Sequence, residues 1–373
     1  MEPARSTTGN IQMDSRHAGC SVGWMRLLSL LAVLMAGLAA GAAPLAPKVV
    51  VVAMFEPGQD TGDTPGEYQF WVERLKLDQV FPLPSAYHDV RANADGSVIA
   101  IVTGVGNIRA AATLMALGSD PRFDFRRSYW LVAGIAGIDP ADGTLGCAAW
   151  AEYVVNGDLG HELDAREIPA DWPTGYVPLR KSRPYELPAS PEDSSEVFHL
   201  EPGLVEWAYQ LTKDLDLGDT PGMQERRAMF TGFPNAQRKP FVLKGDTLSS
   251  ETFWHGKLMN EWANAWVKYH TGGKGNYVTT AMEDSGTCQA LTWLSRAGKA
   301  DVRRLLVLRT ASNFDMQWPG ATAAESMFGE KFTHYSGYKP SLESAFTVGN
   351  KVVQALLAGW EKFEKAPPAA KVP

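Results

Sequence analysis

Short β-branched runs separated by helix-length segments govern what this chain can become. Lys48 to Ala53, Val98 to Val102, Tyr129 to Ala133, Glu152 to Val155, Tyr277 to Thr280 and Leu305 to Leu308 are apolar and too short for helices. Apolar runs without polar alternation are strands buried on both faces, the habit of a largely parallel sheet. Between them, Asn107 to Leu117, Pro202 to Asp214, Glu251 to Tyr269, Asp284 to Arg296 and Ser341 to Phe363 have helix length. Strand alternating with helix predicts an α/β fold, a central sheet layered with helices. In such folds ligands are held by the loops at the carboxyl ends of the strands, so chemistry is sought there. The segment 157–197 is rich in Pro, Asp, Glu and Arg and weakly periodic, which reads as a long excursion from one domain.

The first 43 residues stand apart from this pattern. An apolar run from Leu27 to Ala43 follows Arg16 and Arg26 and ends in Ala40-Gly41-Ala42, a small-x-small cleavage pattern. It is shorter than the roughly 20 residues a spanning helix needs, so residues 1–43 are expected to be a secretory signal. The remaining 44–373 is expected to be a single domain, periplasmic or secreted. No later stretch is long and apolar enough to cross a bilayer as a helix, so no integral membrane span is expected. The formal net charge of −7 gives no electrostatic reason to bind nucleic acid or anionic lipid. Cys20 leaves with the signal, and Cys147 and Cys288 remain, either as one disulfide or as two buried thiols.

Exclusions narrow the chemistry. The histidines at 88, 161, 199, 255, 270 and 334 show neither HxxxH nor HxH spacing, so no metal site is expected. There is no GxxxxGK[ST] loop and no GxSxG elbow. Four strand ends remain. Thr103-Gly104-Val105-Gly106-Asn107 turns a strand into a helix, but Arg109 stands where a dinucleotide fingerprint needs its third glycine. Gly134-Ile135-Ala136-Gly137 is a small-residue stretch whose backbone N–H groups can approach a flat ring or an anion. Met282-Glu283-Asp284 offers a carboxylate able to accept from vicinal sugar hydroxyls, or acids that complement a helix N-terminus. Arg309-Thr310-Ala311-Ser312-Asn313 ends a strand in polar side chains, including an amide that can both donate and accept.

In this order and spacing, the chain resembles the nucleoside phosphorylase and nucleosidase superfamily, with its TGxGxxxAA turn, GxxG loop, Met-Glu pair and R-x-x-S-[DN] strand end. Lys244-Gly245-Asp246-Thr247, followed by Phe253-Trp254, is similar to that superfamily's SGD segment and the aromatic lid beyond it. At finer grain Val51-Val52-Ala53-Met54-Phe55-Glu56-Pro57-Gly58, Tyr68-Gln69-Phe70-Trp71 and Thr279 to Gly286 resemble the purine nucleoside permease family, which is associated with nucleoside uptake.

The resemblance implies a three-layer α/β/α fold with a mixed, largely parallel sheet, and a purine nucleoside as ligand. It implies that Met282 and Glu283 hold the ribose, that Ala136 and Gly137 give backbone contacts to base or ribose, and that Phe253 or Trp254 stacks on the purine. Asn313 would hydrogen-bond N7 as the base leaves, and Glu56 is the nearest counterpart of the glutamate with which nucleosidases activate water. Thr103 and Arg109 are the candidates for phosphate, the one co-substrate the resemblance suggests in the absence of any cofactor. Ile135 stands where phosphate-using relatives carry Thr or Ser, and it offers an oxyanion no donor. An N-ribosyl hydrolase, a phosphorylase and a non-catalytic binding component assisting uptake all remain open, as does assembly into dimers, trimers or hexamers.

Overall fold

The computed structural model describes residues 43–189, 196–329 and 336–370, so the expected signal lies almost wholly outside the described residues. In chain order the strands are β1 (Val49–Ala53), β2 (Gln79–Phe81), β3 (Val90–Ala92), β4 (Val98–Val102), β5 (Tyr129–Ile138), β6 (Ala148–Trp150) and β7 (Tyr153–Asn156). They continue with β8 (Gly160–Glu162), β9 (Tyr176–Pro178), β10 (Val197–His199), β11 (Val242–Lys244), β12 (Asp246–Ser249), β13 (Tyr277–Ala281) and β14 (Leu305–Phe314). The helices are α1 (Gln69–Leu75), α2 (Asn107–Ser119), α3 (Pro202–Thr212), α4 (Pro221–Ala228), α5 (Lys257–His270), α6 (Asp284–Arg296), α7 (Ala323–Phe328), α8 (Tyr338–Ala358) and α9 (Trp360–Phe363).

The sheet is mixed and is organised around β5. Parallel β1 runs along the first half of one edge of β5, pairing Val49 with Tyr129, and antiparallel β13 continues that edge, pairing Thr280 with Gly137. Parallel β14 follows the other edge from Leu305 opposite Trp130 to Phe314 opposite Ile138. From β1 the sheet extends through β4, β3 and β2, and from β13 through β12 and β7 to β10. Antiparallel β6 flanks β14, and because β6 and β7 are separated only by Ala151 and Glu152, the path β5–β14–β6–β7–β12–β13 returns to β5.

The corner of that path is built by Asp246, the acid of the GD segment. Its Oδ1 accepts from the N–H groups of Glu152 (3.1 Å) and Tyr153 (2.7 Å), and its Oδ2 accepts from Asn276 N–H at 2.7 Å. Backbone groups that lose ladder partners at the bend are thereby satisfied, and burial still raises its pKa to about 6.

Two groups of helices cover the sheet. Helix α8, with α1 and α3 beside it, lies on β1, β5, β6 and β14, while α2 packs on α6, which reaches β7 and β12. Every residue of β1 and β4 is buried, as their unbroken apolar runs require.

Helix α5 starts at Lys257, six residues after the helix-length segment begins, so Glu251 to Gly256 is loop. The excursion contributes a separate hairpin, β8 paired with β9, before β10 rejoins the sheet against β7. Cys147 and Cys288 are both buried free thiols. Among the described residues no helix is long and apolar enough to cross a membrane.

Candidate functional site

Beyond Ala133 and Leu308, where their apolar runs stop, β5 and β14 continue as strands through Gly134 to Ile138 and through Arg309 to Phe314. Glycine in a ladder removes side-chain bulk and admits a close neighbour. A Cβ on Gly134 would overlap Met54 and stand 2.6 Å from Glu67 Oε1 and 2.7 Å from Arg309 Nη1. The small residues thus make room for charged groups at the centre of the sheet.

At these strand ends lies a cavity of about 170 Å³. Ile135, Ala136 and Gly137 of β5 form one side, and Thr280, Ala281, Met282 and Glu283 at the end of β13 form another. Ser312 and Asn313 of β14, the loop residues Thr252, Phe253 and Trp254, and Val105, Phe55 and Glu67 complete it. Met282, Glu283, Ala136, Gly137, Phe253, Trp254 and Asn313, read from four distant motifs, therefore meet around one space.

Its floor is ionic. Arg309 is 1% exposed, and its guanidinium donates to Glu283 Oε2 at 3.0 Å, to Asp284 Oδ1 at 2.6 Å and to the Ile135 carbonyl at 3.1 Å. Glu283 Oε1 accepts from Gly106 N–H at 3.2 Å, which ties the Gly-x-Gly turn to the acid rather than to an external anion. Burial raises the pKa of Glu283 and the Arg309 charge opposes the rise. Asp284 takes the bidentate share of Arg309 and also accepts from Thr247 Oγ1 at 3.2 Å.

Glu67, which the motifs did not single out, is the second acid of the cavity. Its Oε2 accepts from Met54 N–H and its Oε1 from Ile135 N–H, each at 2.7 Å. Full burial lifts its pKa to about 8, with Arg309 opposing and Glu283 adding to the rise. Its only mark in the sequence is that it directly precedes Tyr68-Gln69-Phe70-Trp71 at the start of α1.

Glu56 does not line the cavity. Its carboxylate accepts from the N–H groups of Gly66 (2.5 Å), Tyr68 (2.9 Å) and Gln69 (2.7 Å), the unpaired donors where the chain enters α1. It is a buried cap, and the acid that lines the cavity is Glu67 instead.

The phosphate candidates are also outside. Thr103 Oγ1 donates to the Gly104 carbonyl at 3.0 Å. Arg109 is exposed on α2 with its guanidinium carbon 5.8 Å from the centre of the Tyr87 ring. At the same helix start, Ile108 N–H donates to Glu251 Oε1 at 2.8 Å, so a carboxylate of the chain holds the end where an anion would dock.

On the β14 wall of the cavity, Ser312 Oγ donates to Asn313 Oδ1 at 2.8 Å, and Asn313 Nδ2 donates to the Phe314 carbonyl at 3.0 Å. That leaves the second N–H of the Asn313 amide for a ligand acceptor. Phe253 is 41% exposed at the cavity edge, whereas Trp254 is 6% exposed and packs against Trp262 and Tyr277. Among the described residues no group of three or more His, Cys, Asp or Glu side chains is arranged to hold a metal ion.

The chain is 28% identical to a purine nucleoside permease of Candida albicans, over 86% of this chain and 77% of the relative. It is 26% identical to a probable purine nucleoside permease of Schizosaccharomyces pombe, over 87% of this chain and 93% of the relative. Among solved structures it is similar to a 5'-methylthioadenosine/S-adenosylhomocysteine nucleosidase of Helicobacter pylori, with a TM-score of 0.51, 14% identity and coverage of 83% and 99% of the two chains. The native futalosine hydrolase of the same organism gives a TM-score of 0.50 at 14% identity, covering 83% and 98%. These likenesses identify the fold as that of the nucleoside phosphorylases and nucleosidases, the expected α/β class. A family model described as Purine nucleoside permease (NUP) matches residues 46–368, and with it the chain belongs to the purine nucleoside permease family.

Proposed function

We propose that this protein binds purine nucleosides in the cavity at its strand ends and cleaves their N-glycosidic bond with water. The observation that carries the reading is that two buried acids, Glu67 and Glu283, line the same cavity as the Asn313 amide. Glu283 accepts from the ribose 2′ and 3′ hydroxyls with Met282 beside the sugar, and Phe253 lies against the base. Glu67 takes a proton from water as the water oxygen bonds to C1′ and the C1′–N9 bond breaks. The electron pair leaves with the purine, whose N7 accepts from Asn313 Nδ2. The acids also stabilise the positive charge that develops on the ribose.

Water is favoured over phosphate for two reasons. Gly106 N–H in the Gly-x-Gly turn and Ile108 N–H in the helix after it are already taken by Glu283 and Glu251, and Ile135 offers no side-chain donor. A phosphate would also enter beside Glu67, Glu283 and Asp284, balanced only by Arg309 among the groups lining or underlying this end of the cavity.

A second reading, a non-catalytic nucleoside-binding component that assists uptake, is favoured by Asn313 itself. An amide donates to N7 but cannot hand it a proton, so the leaving base must be protonated by another route. Incubating the purified protein with inosine, adenosine and guanosine, with and without phosphate, and separating free base by chromatography decides between these readings. Base release indifferent to phosphate supports hydrolysis. Release that requires phosphate overturns the choice of water, and micromolar binding without release supports the second reading.

We also propose that the protein acts after export, supported by the basic residues, apolar run and Ala40-Gly41-Ala42 near the N-terminus. A secreted chain beginning near Pro44 is the expected result of N-terminal sequencing, and an intact Met1 on the exported protein overturns cleavage.

A further inference from the structure

The loop from Ser250 to Gly256 joins β12 to α5 and carries the two aromatic residues of the site. It is a partition. Thr252 and Trp254 line the nucleoside cavity and also a second cavity, of about 390 Å³, bordered by His161 and Tyr176 of the β8–β9 hairpin. With a cavity on each side, the loop has few neighbours to pack it in place, and its position depends on the bonds that hold it.

The two halves of the loop are held differently. In the second half, Trp254 packs against Trp262 and Tyr277, and Gly256 N–H donates to the Asp315 carbonyl at 2.9 Å. The first half converges on Asp158. Asp158 Oδ1 accepts from Ser250 Oγ at 2.7 Å and Oδ2 from Glu251 N–H at 2.8 Å, and Ser250 Oγ in turn accepts from Thr252 N–H at 3.2 Å. Asn107 Nδ2 adds a longer bond of 3.4 Å to Asp158 Oδ2, at the helix start where Ile108 N–H meets Glu251 Oε1.

Asp158 stands there because of the sheet. Strand β7 runs parallel to β12 with Asn156 opposite Ser249, so the residues just past the two strands come together. Asn156 Oδ1 accepts from the N–H groups of Asp158 (2.7 Å) and Leu159 (3.0 Å), which fixes the turn that presents the carboxylate. Phe253 follows directly on the tied segment. It is 41% exposed at the cavity edge and makes no ring contact among the described residues, so the loop backbone sets its place.

We infer that Asp158 is a positioning residue of the nucleoside site, which latches the first half of this loop and thereby holds Phe253 against the purine. The inference rests on a purine nucleoside as the occupant of the cavity. Asp158 does not line that cavity, so it acts on the ligand through Phe253. Asp158→Ala removes the acceptors outright. Asp158→Asn keeps an oxygen for Glu251 N–H and offers an N–H to Ser250 Oγ.

The test has two readouts on the whole protein. In the ligand-free protein, hydrogen exchange followed by mass spectrometry reports the loop directly. Asp158→Ala is expected to speed exchange in the peptide from Ser250 to Trp254 by about tenfold, the effect of losing hydrogen bonds to a carboxylate, while β1 and β5 exchange as before. Asp158→Asn is expected to restore most of the protection. Calorimetric titration with inosine then compares Asp158→Ala, Phe253→Ala and the double variant. Asp158→Ala is expected to weaken binding by about fivefold alone and by less than about twofold in the Phe253→Ala background, the non-additivity of residues that act through one contact. Unchanged loop exchange in Asp158→Ala, unchanged affinity for inosine, or losses that add in the double variant each overturn the inference. Faster loop exchange in a protein whose wild type binds no nucleoside supports the latch and overturns the proposed function.

Discussion

The guanidinium of Arg309, midway along β14, donates at 3.0 Å to Oε2 of Glu283, which lies just past the end of β13, and both groups are buried. This contact joins two motifs 26 residues apart in the chain and aims the Glu283 carboxylate at the cavity. Glu283→Gln leaves Arg309 paired with Asp284, so the fold is expected to persist while ribonucleoside affinity falls. A charge-assisted hydrogen bond to a hydroxyl contributes about 1.5–3 kcal/mol, which is roughly a 10- to 150-fold loss. Calorimetric titration with inosine measures it, and unchanged affinity removes Glu283 from the ribose.

Glu67→Gln removes the base at nearly unchanged volume, while one of the two backbone N–H groups of Met54 and Ile135 loses its acceptor. Base release is expected to fall by roughly 10²- to 10⁴-fold while nucleoside affinity changes little. With a pKa raised to about 8, Glu67 is charged only at the alkaline end, so release in the wild type should climb as pH rises through 8. A flat profile from pH 6 to 9 would exclude Glu67 as the base.

Gly134→Ala tests the space that brings the ionic groups together. The added methyl meets Met54, Glu67 and Arg309 inside a packed sheet. Overpacking of this kind costs about 1–3 kcal/mol, and chemical denaturation should register a loss of that size. A variant as stable as wild type shows that the floor of the cavity can relax.

Phe253 and Trp254 divide the work that the sequence left to either. Phe253→Ala should weaken purine binding by about 1–3 kcal/mol, the contribution of stacking one base on an aromatic ring, without moving the melting temperature. Trp254→Ala should instead destabilise the fold by about 3–5 kcal/mol, since that ring packs between Trp262 and Tyr277. The reverse pattern would make Trp254 the stacking residue.

Asp315, two residues past the cavity-lining Asn313, accepts from Tyr277 Oη at 2.5 Å and from Asn260 Nδ2 at 3.1 Å. Burial, reinforced by Asp139, raises its pKa from 3.8 to about 8 despite those bonds. The folded state therefore keeps a proton that the unfolded chain releases between about pH 4 and 8, and stability falls as pH rises through that window. Asp315→Asn removes this dependence. Its melting temperature relative to wild type should improve by about 2 °C or more between pH 5 and 8.5. An offset independent of pH would show that Asp315 is ionised throughout.

Much of the site was legible in the sequence because its parts sit at strand ends, where apolar runs give way to small or polar residues. Ala136, Gly137, Met282, Glu283 and Asn313 follow directly from that rule, and α/β layering follows from the runs themselves. Strand lengths were less legible: β5 and β14 continue through glycine and polar residues because ladder pairing on both edges outweighs local propensity.

The sequence by itself determined that two glutamates, Glu56 and Glu67, lie close after the first strand, and that Thr103 and Arg109 border a Gly-x-Gly turn. Only the tertiary structure decided which of them line the cavity. The entry to α1 leaves backbone donors that need an acceptor, and Glu56 meets that need. Glu67, one step further, is carried to the N–H groups of Met54 and Ile135 beside Arg309. At the turn and the helix start beyond it, Glu283 and Glu251 arrive from distant segments and take the N–H groups of Gly106 and Ile108. Which carboxylate satisfies which buried donor is set by long-range packing, and no local pattern of residues encodes it.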